Sequence, residues 1–244
     1  MITRVILPIF AFAVACGAQM RTPVVVELFT SDGCSSCPPA DNLLARLPGM
    51  FPDLDVIPLS EHVDYWNQQG WKDRFSAPLF SMRQQDYGRV FGLEQVYTPE
   101  MIVNGTTEFN GSDVARARQE IVKAASSERA AATIGRAGSS STIHLHVEKA
   151  PKGVRNIDVF LAITESNLET PVERGENAGR RLRYIGVVRH LSSVGHFDTK
   201  KSASYDADAR LTLKPEWRAE NVKLVMLVQD RSTRKIIGAA EARP

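Results

Sequence analysis

Hydrophobic positions follow two different patterns along this 244-residue chain, and the change lies near residue 130. Before it, continuous apolar runs typical of buried parallel strands alternate with stretches of helical spacing. The runs at 23–31 and 54–59 flank a helical segment at 40–47, which ends at Pro48-Gly49. A strand, a helix and a strand joined by short connections predict a right-handed βαβ unit.

Further elements are predicted before the change of pattern. They are a helix at 76–91, strands at 101–103 and 106–109, and a helix from 112 to about 125. Asn104-Gly105 is a strong hairpin signal, so the two short strands are expected to be antiparallel. Asp113 is a favourable N-cap for the last helix.

Beyond residue 130, alternation with a period of two dominates. The alternating segments are 142–147, 157–164, 182–188, 203–213 and 222–229. Several strands separated by turn-rich stretches predict a small antiparallel β-sandwich. With a flexible junction at 138–141, we expect one domain at 21–130 and a β-sandwich domain at 131–244.

The first twenty residues have the layout of a secretory signal peptide. Arg4 precedes an apolar run at 5–15, and small residues follow. This run is shorter than the ~20 apolar residues of a membrane-spanning helix. We therefore expect residues 1–20 to be a signal peptide and the protein to be periplasmic or secreted. Two alternatives stay open: lipid anchoring at Cys16, and a buried N-terminal strand or helix.

Charge and composition exclude several classes of protein. Lys and Arg number 30 and Asp and Glu 28, a formal net charge of +2, which is far from the basic excess that nucleic acids require. A hydrophobic fraction of 43% argues against disorder and coiled coil. We expect neither a nucleic-acid partner nor an integral membrane protein.

The cysteines point to a site. If Cys16 leaves with the signal peptide, only Cys34 and Cys37 remain, and one close pair is not a disulfide scaffold. The motif lies between a predicted strand and a predicted helix, where the free N–H groups and the helix dipole favour the Cys34 thiolate. Cys34 should be the more exposed and more acidic thiol, and Cys37 can resolve a mixed disulfide. An inert disulfide and half of a zinc site are alternatives, but zinc needs four ligands and no second CxxC is present.

A second group of polar and aromatic residues follows the second predicted strand. Its members are Glu61, His62, Asp64, Tyr65, Trp66 and Trp71. Ligands gather at the carboxyl ends of parallel strands, so we expect this segment near the cysteines. His62 could stabilise a thiolate, transfer a proton or bind a soft metal with the two sulfurs, or it could belong to a packed aromatic lid. Asp64 and Asp73 are expected to be solvated or capping residues, and Glu173 to Arg183 an exposed loop.

Four motifs carry a resemblance to known families. FTSDGCSSCPPAD and YTPEMIVNG resemble the thioredoxin superfamily over residues 22–128, with a glutaredoxin-like Thr-Pro before a strand that ends in Asn-Gly. With HVDYWNQQGWKDRF and RGENAGRRL, the chain resembles the exported thioredoxin-like proteins of the domain-of-unknown-function 1223 family. The resemblance implies a thioredoxin-like fold and a redox-type site, and it implies no known substrate.

The resemblance also implies roles for individual residues. Cys34 would be the attacking thiol, Cys37 the resolving thiol and Pro99 a cis-proline beside them. The usual Trp before the active cysteine is replaced by Asp32-Gly33, which leaves recognition of protein substrates in doubt.

The sequence therefore predicts an α/β protein, a thioredoxin-like domain followed by a small antiparallel β-sandwich domain. The expected function is thiol–disulfide exchange with Cys34, Cys37, Pro99 and His62 as catalytic residues and with no cofactor or metal. The partners would be an unknown thiol or disulfide substrate and a redox partner. The alternatives are a copper-handling protein that uses Cys34, Cys37 and His62, and a binding module with a structural disulfide.

Overall fold

The computed structural model describes residues 22–136 and 141–244. The predicted signal peptide, Cys16 and most of the predicted junction at 138–141 lie outside the described residues. Within those two ranges, no helix is both long and apolar enough to cross a membrane.

The first part of the chain alternates strands and helices. Its elements are β1 (Thr22–Thr30), α1 (Pro38–Met50), β2 (Leu54–His62), α2 (Pro78–Phe91), β3 (Glu100–Val103), β4 (Thr107–Asn110) and α3 (Val114–Ala125). β1 and β2 are parallel and in continuous register from Thr22 paired with Leu54 to Thr30 paired with His62. β3 and β4 form the antiparallel hairpin that Asn104-Gly105 predicts.

The second part consists almost entirely of strands. They are β5 (Ala131–Arg136), β6 (Thr142–Glu148), β7 (Asn156–Glu165), β8 (Leu168–Pro171), β9 (Arg181–Tyr184), β10 (Val187–Asp198), β11 (Ser204–Arg210), β12 (Val222–Asp230) and β13 (Ile236–Ala242). The sequence predicts one strand at 182–188, but the structure has two, β9 and β10. Gly186 between them has a φ of 58°, a left-handed conformation that turns the chain from one sheet to the other.

The largest sheet contains strands from both parts of the chain. Its eight strands lie in the order β13-β12-β7-β10-β2-β1-β3-β4, and two smaller antiparallel sheets have the orders β11-β6-β5 and β8-β9. β10 joins β2 where Val187 pairs with Ser60, and Ser60 N donates to Gly186 O at 2.8 Å. The protein is thus a mixed α/β protein with one large mixed sheet. The limits of the two predicted domains stay a prediction.

Two glycines allow backbones from the two parts to approach closely. A Cβ on Gly186 would lie 2.2 Å from the carbonyl oxygen of Pro58. A Cβ on Gly105, whose φ is 60°, would lie 2.1 Å from the carbonyl oxygen of Arg234. Both distances are far inside van der Waals contact, so only glycine fits at these two positions.

Apolar side chains cover both faces of the large sheet. On one face, β1, β3, α1 and α3 share a core with residues such as Leu28, Leu43, Leu44, Met101 and Ile121. On the other face, Phe80 of α2 packs with residues of β2, β10 and β12. The three-stranded sheet packs Ile143, Leu145 and Val147 against β7 and β12. This burial on two faces explains the continuous apolar runs of β1 and β12.

A buried polar network also connects the two parts. Arg83 Nε donates to Glu27 Oε1 at 2.7 Å, and the hydroxyl of Tyr87 donates to Glu27 Oε2 at 2.6 Å. Gln229 Nε2, from β12, donates to the same Tyr87 oxygen at 2.9 Å. Charges this deeply buried are stable only when paired, so the network holds α2 against β1 and β12.

Candidate functional site

The two cysteines form a disulfide in the turn between β1 and α1. Their Cα atoms are 5.4 Å apart. Cys34 N donates to Ser31 O at 3.1 Å and Cys37 N to Cys34 O at 3.2 Å, so the turn is closed by its own backbone. Pro38 begins α1, where the first N–H groups have no partner within the helix. The disulfide therefore lies at the positive end of the α1 dipole.

Neither cysteine of the disulfide is exposed to solvent. Cys34 and Cys37 are both 0% exposed, whereas Ser35 and Ser36 at the tip of the turn are exposed. The predicted difference in exposure between the two cysteines is thus not present in this state. Whatever reacts with the disulfide must first move the groups that cover it.

The Thr98–Pro99 segment lies at the tip of the turn. The peptide bond between these residues is cis, as the resemblance implies. Ser36 Oγ lies 3.4 Å from Cys34 Sγ, and it donates a long hydrogen bond of 3.5 Å to Thr98 O. Trp66 Nε1 donates to Thr98 Oγ1 at 2.8 Å and holds this segment from the other side. The catalytic role of Pro99 stays a prediction.

Residues 172–180, here called the covering loop, connect β8 and β9 and pack on the disulfide turn. Asn177 Nδ2 donates to Asp32 O at 2.8 Å and to Cys34 O at 2.9 Å. Arg180 Nη1 donates to Asn177 Oδ1 at 3.0 Å and so fixes the amide orientation. Glu176 Oε2 accepts from Ser35 N at 3.2 Å. The expectation of an exposed loop is wrong for Asn177, which is fully buried.

Behind the disulfide turn, His62 and Asp73 form a buried pair. His62 Nδ1 lies 2.6 Å from Asp73 Oδ2, and both side chains are 0% exposed. The same Asp73 carboxylate accepts from the backbone N–H of Asp32 and of Phe75, each at 2.8 Å. Of the two expectations for Asp73, solvation is wrong because the side chain is buried, whereas its bond from the nearby Phe75 N–H agrees with a capping role. The carboxylate organises the backbone beside the cysteines.

Asp32 connects this pair to the disulfide turn. Its carboxylate accepts from the Tyr184 hydroxyl at 2.5 Å and from Trp71 Nε1 at 3.3 Å. The His62 ring makes edge contacts with Phe75 and Tyr184, with centroid distances of 5.3 and 4.7 Å. A carboxylate, an imidazole and a second carboxylate are thus enclosed by aromatic rings next to Cys34.

Several polar atoms of this region have no hydrogen-bond partner within the described part of the chain. They are His62 Nε2, both carboxylate oxygens of Asp41, and Thr30 Oγ1, which lies beside Asp41 without a well-formed hydrogen bond to it. Asp41 is in the first turn of α1, where its N–H donates to Cys37 O at 3.1 Å. Unpartnered buried polar atoms cost free energy, and the two carboxylate oxygens of Asp41 lie in the first turn of the helix that begins at the disulfide.

Burial and neighbouring charges set the protonation of His62, Asp73 and Asp32. Burial lowers the pKa of His62, but the attraction and hydrogen bond of Asp73, with further help from Asp32 and Asp41, raise it overall. Burial raises the pKa of Asp73, but His62 and the amides of Asp32 and Phe75 outweigh it and the net shift is downward. Burial and the neighbouring Asp73 raise the pKa of Asp32. Asp73 and His62 therefore favour an ion pair.

Asp41 titrates in a different range. Burial raises its pKa to about 7, against the opposing attraction of His62. An acid of this kind exchanges a proton near neutral pH, which suits a group that gives or takes protons. Asp41 was not predicted as a site residue, although its spacing from Cys37 places it one turn into the helix.

The cluster has the residue types of a metal site. One ligand atom each from Asp32, His62 and Asp73 lies within 4.8 Å of the other two. These carboxylates already accept hydrogen bonds from Tyr184, Trp71 and two backbone amides. In the disulfide state neither cysteine offers a thiolate, so copper binding by Cys34, Cys37 and His62 would require the reduced pair.

The structure thus brings three predicted groups together. Cys34 and Cys37 form the disulfide, and Ser36 connects it to the Thr98–Pro99 segment. The backbone N–H of Asp32 donates to Asp73, which pairs with His62, so His62 is also connected to the disulfide turn. Fold and site define a mixed α/β protein with a disulfide at a helix N-terminus, next to a buried His–Asp pair.

Comparison with known proteins gives the family. The model of the family described as "Protein of unknown function (DUF1223)" matches residues 25–229. The chain belongs to this family. No curated protein matches it.

Solved structures agree on the fold. The chain is similar to protein AGR_C_4864 from Agrobacterium tumefaciens, with 27% identity, a TM-score of 0.73, and coverage of 92% of this chain and 95% of the other. It is also similar to HBP35 of Porphyromonas gingivalis, with 14% identity, a TM-score of 0.60, and coverage of 91% and 75%. The second likeness concerns the fold alone.

Proposed function

We propose that the protein is an exported thiol–disulfide oxidoreductase that acts through dithiol–disulfide exchange at Cys34 and Cys37. In this proposal, residues 21–130 form a thioredoxin-like domain and residues 131–244 a β-sandwich domain. The observation that carries it is the Cys34–Cys37 disulfide at the start of α1, tied through Asp32 to a buried group of titrating side chains. Export is supported by the signal-like pattern at the N-terminus.

The exchange has two steps when the pair acts as an oxidant. A substrate thiolate attacks Cys34 Sγ, the S–S bond breaks, and its electron pair leaves on Cys37 Sγ, which takes up a proton. A second substrate thiolate then attacks the substrate sulfur of the mixed disulfide and releases Cys34 as a thiolate. Two electrons move to the protein, and the substrate leaves as a disulfide. The reverse sequence reduces a disulfide.

The surroundings of the disulfide support this chemistry. The α1 N-terminus stabilises a Cys34 thiolate and so makes Cys34 a good leaving group. Asp41, with a pKa of about 7, lies one turn from Cys37 and is suited to give or take the proton of its thiol. The His62–Asp73 pair adds a second store for a proton behind the same turn.

The order of attack tests the proposal. We expect Cys37→Ser to accumulate a mixed disulfide with glutathione, detected by intact mass, because Cys34 attacks and nothing resolves the product. Cys34→Ser should leave a slowly reacting Cys37 thiol and serves as the matched control. If both variants alkylate like an ordinary exposed thiol, and the wild-type pair does not exchange with glutathione, the protein is a binding module with a structural disulfide.

The reduction potential decides the direction of electron flow. A value near −270 mV indicates a reductant, and a value near −120 mV an oxidant. Equilibration with glutathione buffers of known ratio gives the potential directly.

Copper handling is a second candidate, favoured by the unpartnered Nε2 of the buried His62. Two thiolates and an imidazole suit Cu(I). In anaerobic titration of the reduced protein, this function requires one tightly bound Cu(I) that is lost in His62→Ala and in Cys34→Ser. Binding that does not respond to His62→Ala would exclude the three-ligand site.

A further inference from the structure

A second group of histidines and carboxylates lies on the solvent face of the three-stranded sheet. β6 and β11 are antiparallel, with His146 opposite Asp206 and His144 opposite Asp208. Because side chains alternate along a strand, these four point to one face, while Ile143, Leu145 and Val147 of β6 are buried on the other. Register alone therefore brings two imidazoles and two carboxylates together.

The side chains converge on one another. Asp206 Oδ1 lies 2.8 Å from His146 Nδ1 and 3.2 Å from His144 Nε2. Asp208 Oδ1 lies 2.9 Å from His144 Nδ1. At the end of the group, Glu148 Oε2 lies 4.0 Å from His146 Nε2. Each imidazole nitrogen of this face thus lies within 4 Å of a carboxylate oxygen.

The face is open to solvent on the side of β5. Opposite His144 and His146, β5 carries Gly135 and Thr133, and the direction of a Cβ on Gly135 meets no atom within 4 Å. His144 is 50% exposed and Asp206 54% exposed. A hydrated ion can therefore reach the imidazoles without a change in the backbone.

We propose that His144, His146 and Asp206 form a binding site for a divalent first-row transition-metal ion such as Zn²⁺, with Asp208 on the other ring nitrogen of His144 as the group that orients the imidazole. Imidazole nitrogens with carboxylate oxygens suit zinc, copper and nickel, whereas Mg²⁺ and Ca²⁺ prefer oxygen ligands alone. The ion replaces the protons that the His–Asp contacts otherwise need. It then holds β6 and β11 together.

Three protein ligands leave the fourth position of a tetrahedral ion to water. Zinc ligands lie at ~2.0–2.2 Å, so two ligand atoms of a tetrahedral site are roughly 3.3 Å apart. Asp206 Oδ1 lies 2.8 and 3.2 Å from the two imidazoles, one on either side of it, and the two solvent-accessible histidine side chains would turn toward each other to complete the set. The buried carboxylates of Asp32 and Asp73 differ, because aromatic donors and backbone amides already occupy them.

Zinc titration of the oxidised protein without the predicted signal peptide and without an affinity tag tests the site, because Cys16 is then absent and the disulfide removes Cys34 and Cys37 as competing ligands. We expect one Zn²⁺ per chain by calorimetry, a higher melting temperature with zinc, and no displacement by excess Mg²⁺. His144→Ala and His146→Ala should each weaken binding at least about tenfold, since each removes one of three protein ligands. Asp206→Asn should also weaken it.

The chain offers a matched control. His190 and His196 are exposed histidines on β10 outside the group, and their double alanine variant should bind zinc like the wild type. Circular dichroism of the metal-free variants checks that each is folded. Absence of saturable binding, or equal loss in the His190/His196 control, would overturn the proposal and leave the group as cross-strand ion pairs. This outcome would not touch the proposed exchange at Cys34 and Cys37.

Discussion

The protein contains two His–Asp groups that share residue types but differ in their surroundings. The His62–Asp73 contact of 2.6 Å is fully buried, and the His146–Asp206 contact of 2.8 Å is open to water. In the buried group, lost hydration must be replaced by hydrogen bonds, and Asp73 receives them from two backbone amides. In the exposed group, water solvates both partners and screens their attraction. The buried His62–Asp73 contact is thus required for the stability of the fold, whereas the exposed His146–Asp206 contact is not.

The difference also separates their chemistry. The buried group controls where protons reside next to the disulfide, because burial and neighbouring charges shift the pKa values of His62, Asp73 and Asp41. The exposed group keeps its nitrogens and oxygens within reach of ions from solution.

The largest effect is expected on the free energy of unfolding, when Asp73 and Asp206 are each replaced by Asn. Asp73→Asn should lower the free energy of unfolding by about 3–5 kcal/mol, because it leaves the buried His62 without its charged partner. Asp206→Asn, the matched control, should leave it unchanged within error, because its charge is solvated. Urea unfolding at pH 7 measures both. Equal effects in the two variants would remove the distinction between the groups.

A second, pH-dependent effect is expected at Asp41. Its pKa rises from 3.8 to about 7 on folding, so ionisation of this carboxyl opposes folding. Well below pH 3.8 both states are protonated and the cost is absent. The cost grows between pH 3.8 and about 7, where the unfolded state is ionised and the folded state is still protonated, and above pH 7 it stays at an upper limit of ~4 kcal/mol, from about 1.36 kcal/mol per pKa unit. Asp41→Asn should therefore stabilise the protein at pH 8 and not at pH 4.

The exposed Asp53 provides the control for this prediction, since Asp53→Asn should leave the stability close to that of the wild type at both pH values. A stabilisation of Asp41→Asn that does not change with pH would mean that the carboxyl is not protonated in the folded protein. If Asp41→Asn makes the protein more stable but slows thiol–disulfide exchange, Asp41 contributes to the exchange and lowers the stability of the fold.

A third effect concerns Asn177 of the covering loop, which packs on the disulfide turn. Asn177→Ala removes two hydrogen bonds to the disulfide turn, each worth about 0.5–1.5 kcal/mol. The free energy needed to move the covering loop away from the disulfide should fall by the sum of the two bonds. Reduction of the disulfide by dithiothreitol should therefore be about tenfold faster. Glu173→Ala, an exposed change in the same covering loop, should not alter the rate. Identical rates for all three proteins would show that something other than Asn177 limits access.

The smallest effect is expected on thiol reactivity. His62→Ala should move the pH dependence of Cys34 alkylation in the reduced protein upward by about one unit or less, because a nearby positive charge favours the thiolate. His144→Ala on the distant exposed face should not move it. If the two variants give the same profile, His62 does not influence the Cys34 thiolate and its role is structural, through Asp73 and the rings of Phe75 and Tyr184.

Local patterns predicted the fold where elements are strongly periodic. β1, α1 and β2 could be read from continuous apolar runs around a helical segment, and the hairpin from Asn104-Gly105. β5 and β8 were not predicted, because short segments of mixed polarity carry little periodic signal. β13 was not predicted, because its glycine and alanines are weak strand formers. The joining of β2 to β10 depends on tertiary packing, which no local pattern encodes.

The candidate site was predicted only in part, for the same reason. Cys34, Cys37 and His62 carry recognisable chemistry at the ends of strands. Asn177 reaches the turn from 143 residues away along the chain, so its role was hidden within a charged, glycine-rich segment. Likewise, His146 meets Asp206 across 60 residues, and only strand register brings them together.

The glycines at the contact between the two parts of the chain also have an evolutionary consequence. At Gly105 and Gly186 each backbone lies against a carbonyl oxygen of the other part, so any side chain would collide with it. A recombination event that joined one part to its counterpart from a distant relative would have to reproduce both close contacts at once. Selection therefore acts on the two parts together, and they should be inherited as one unit.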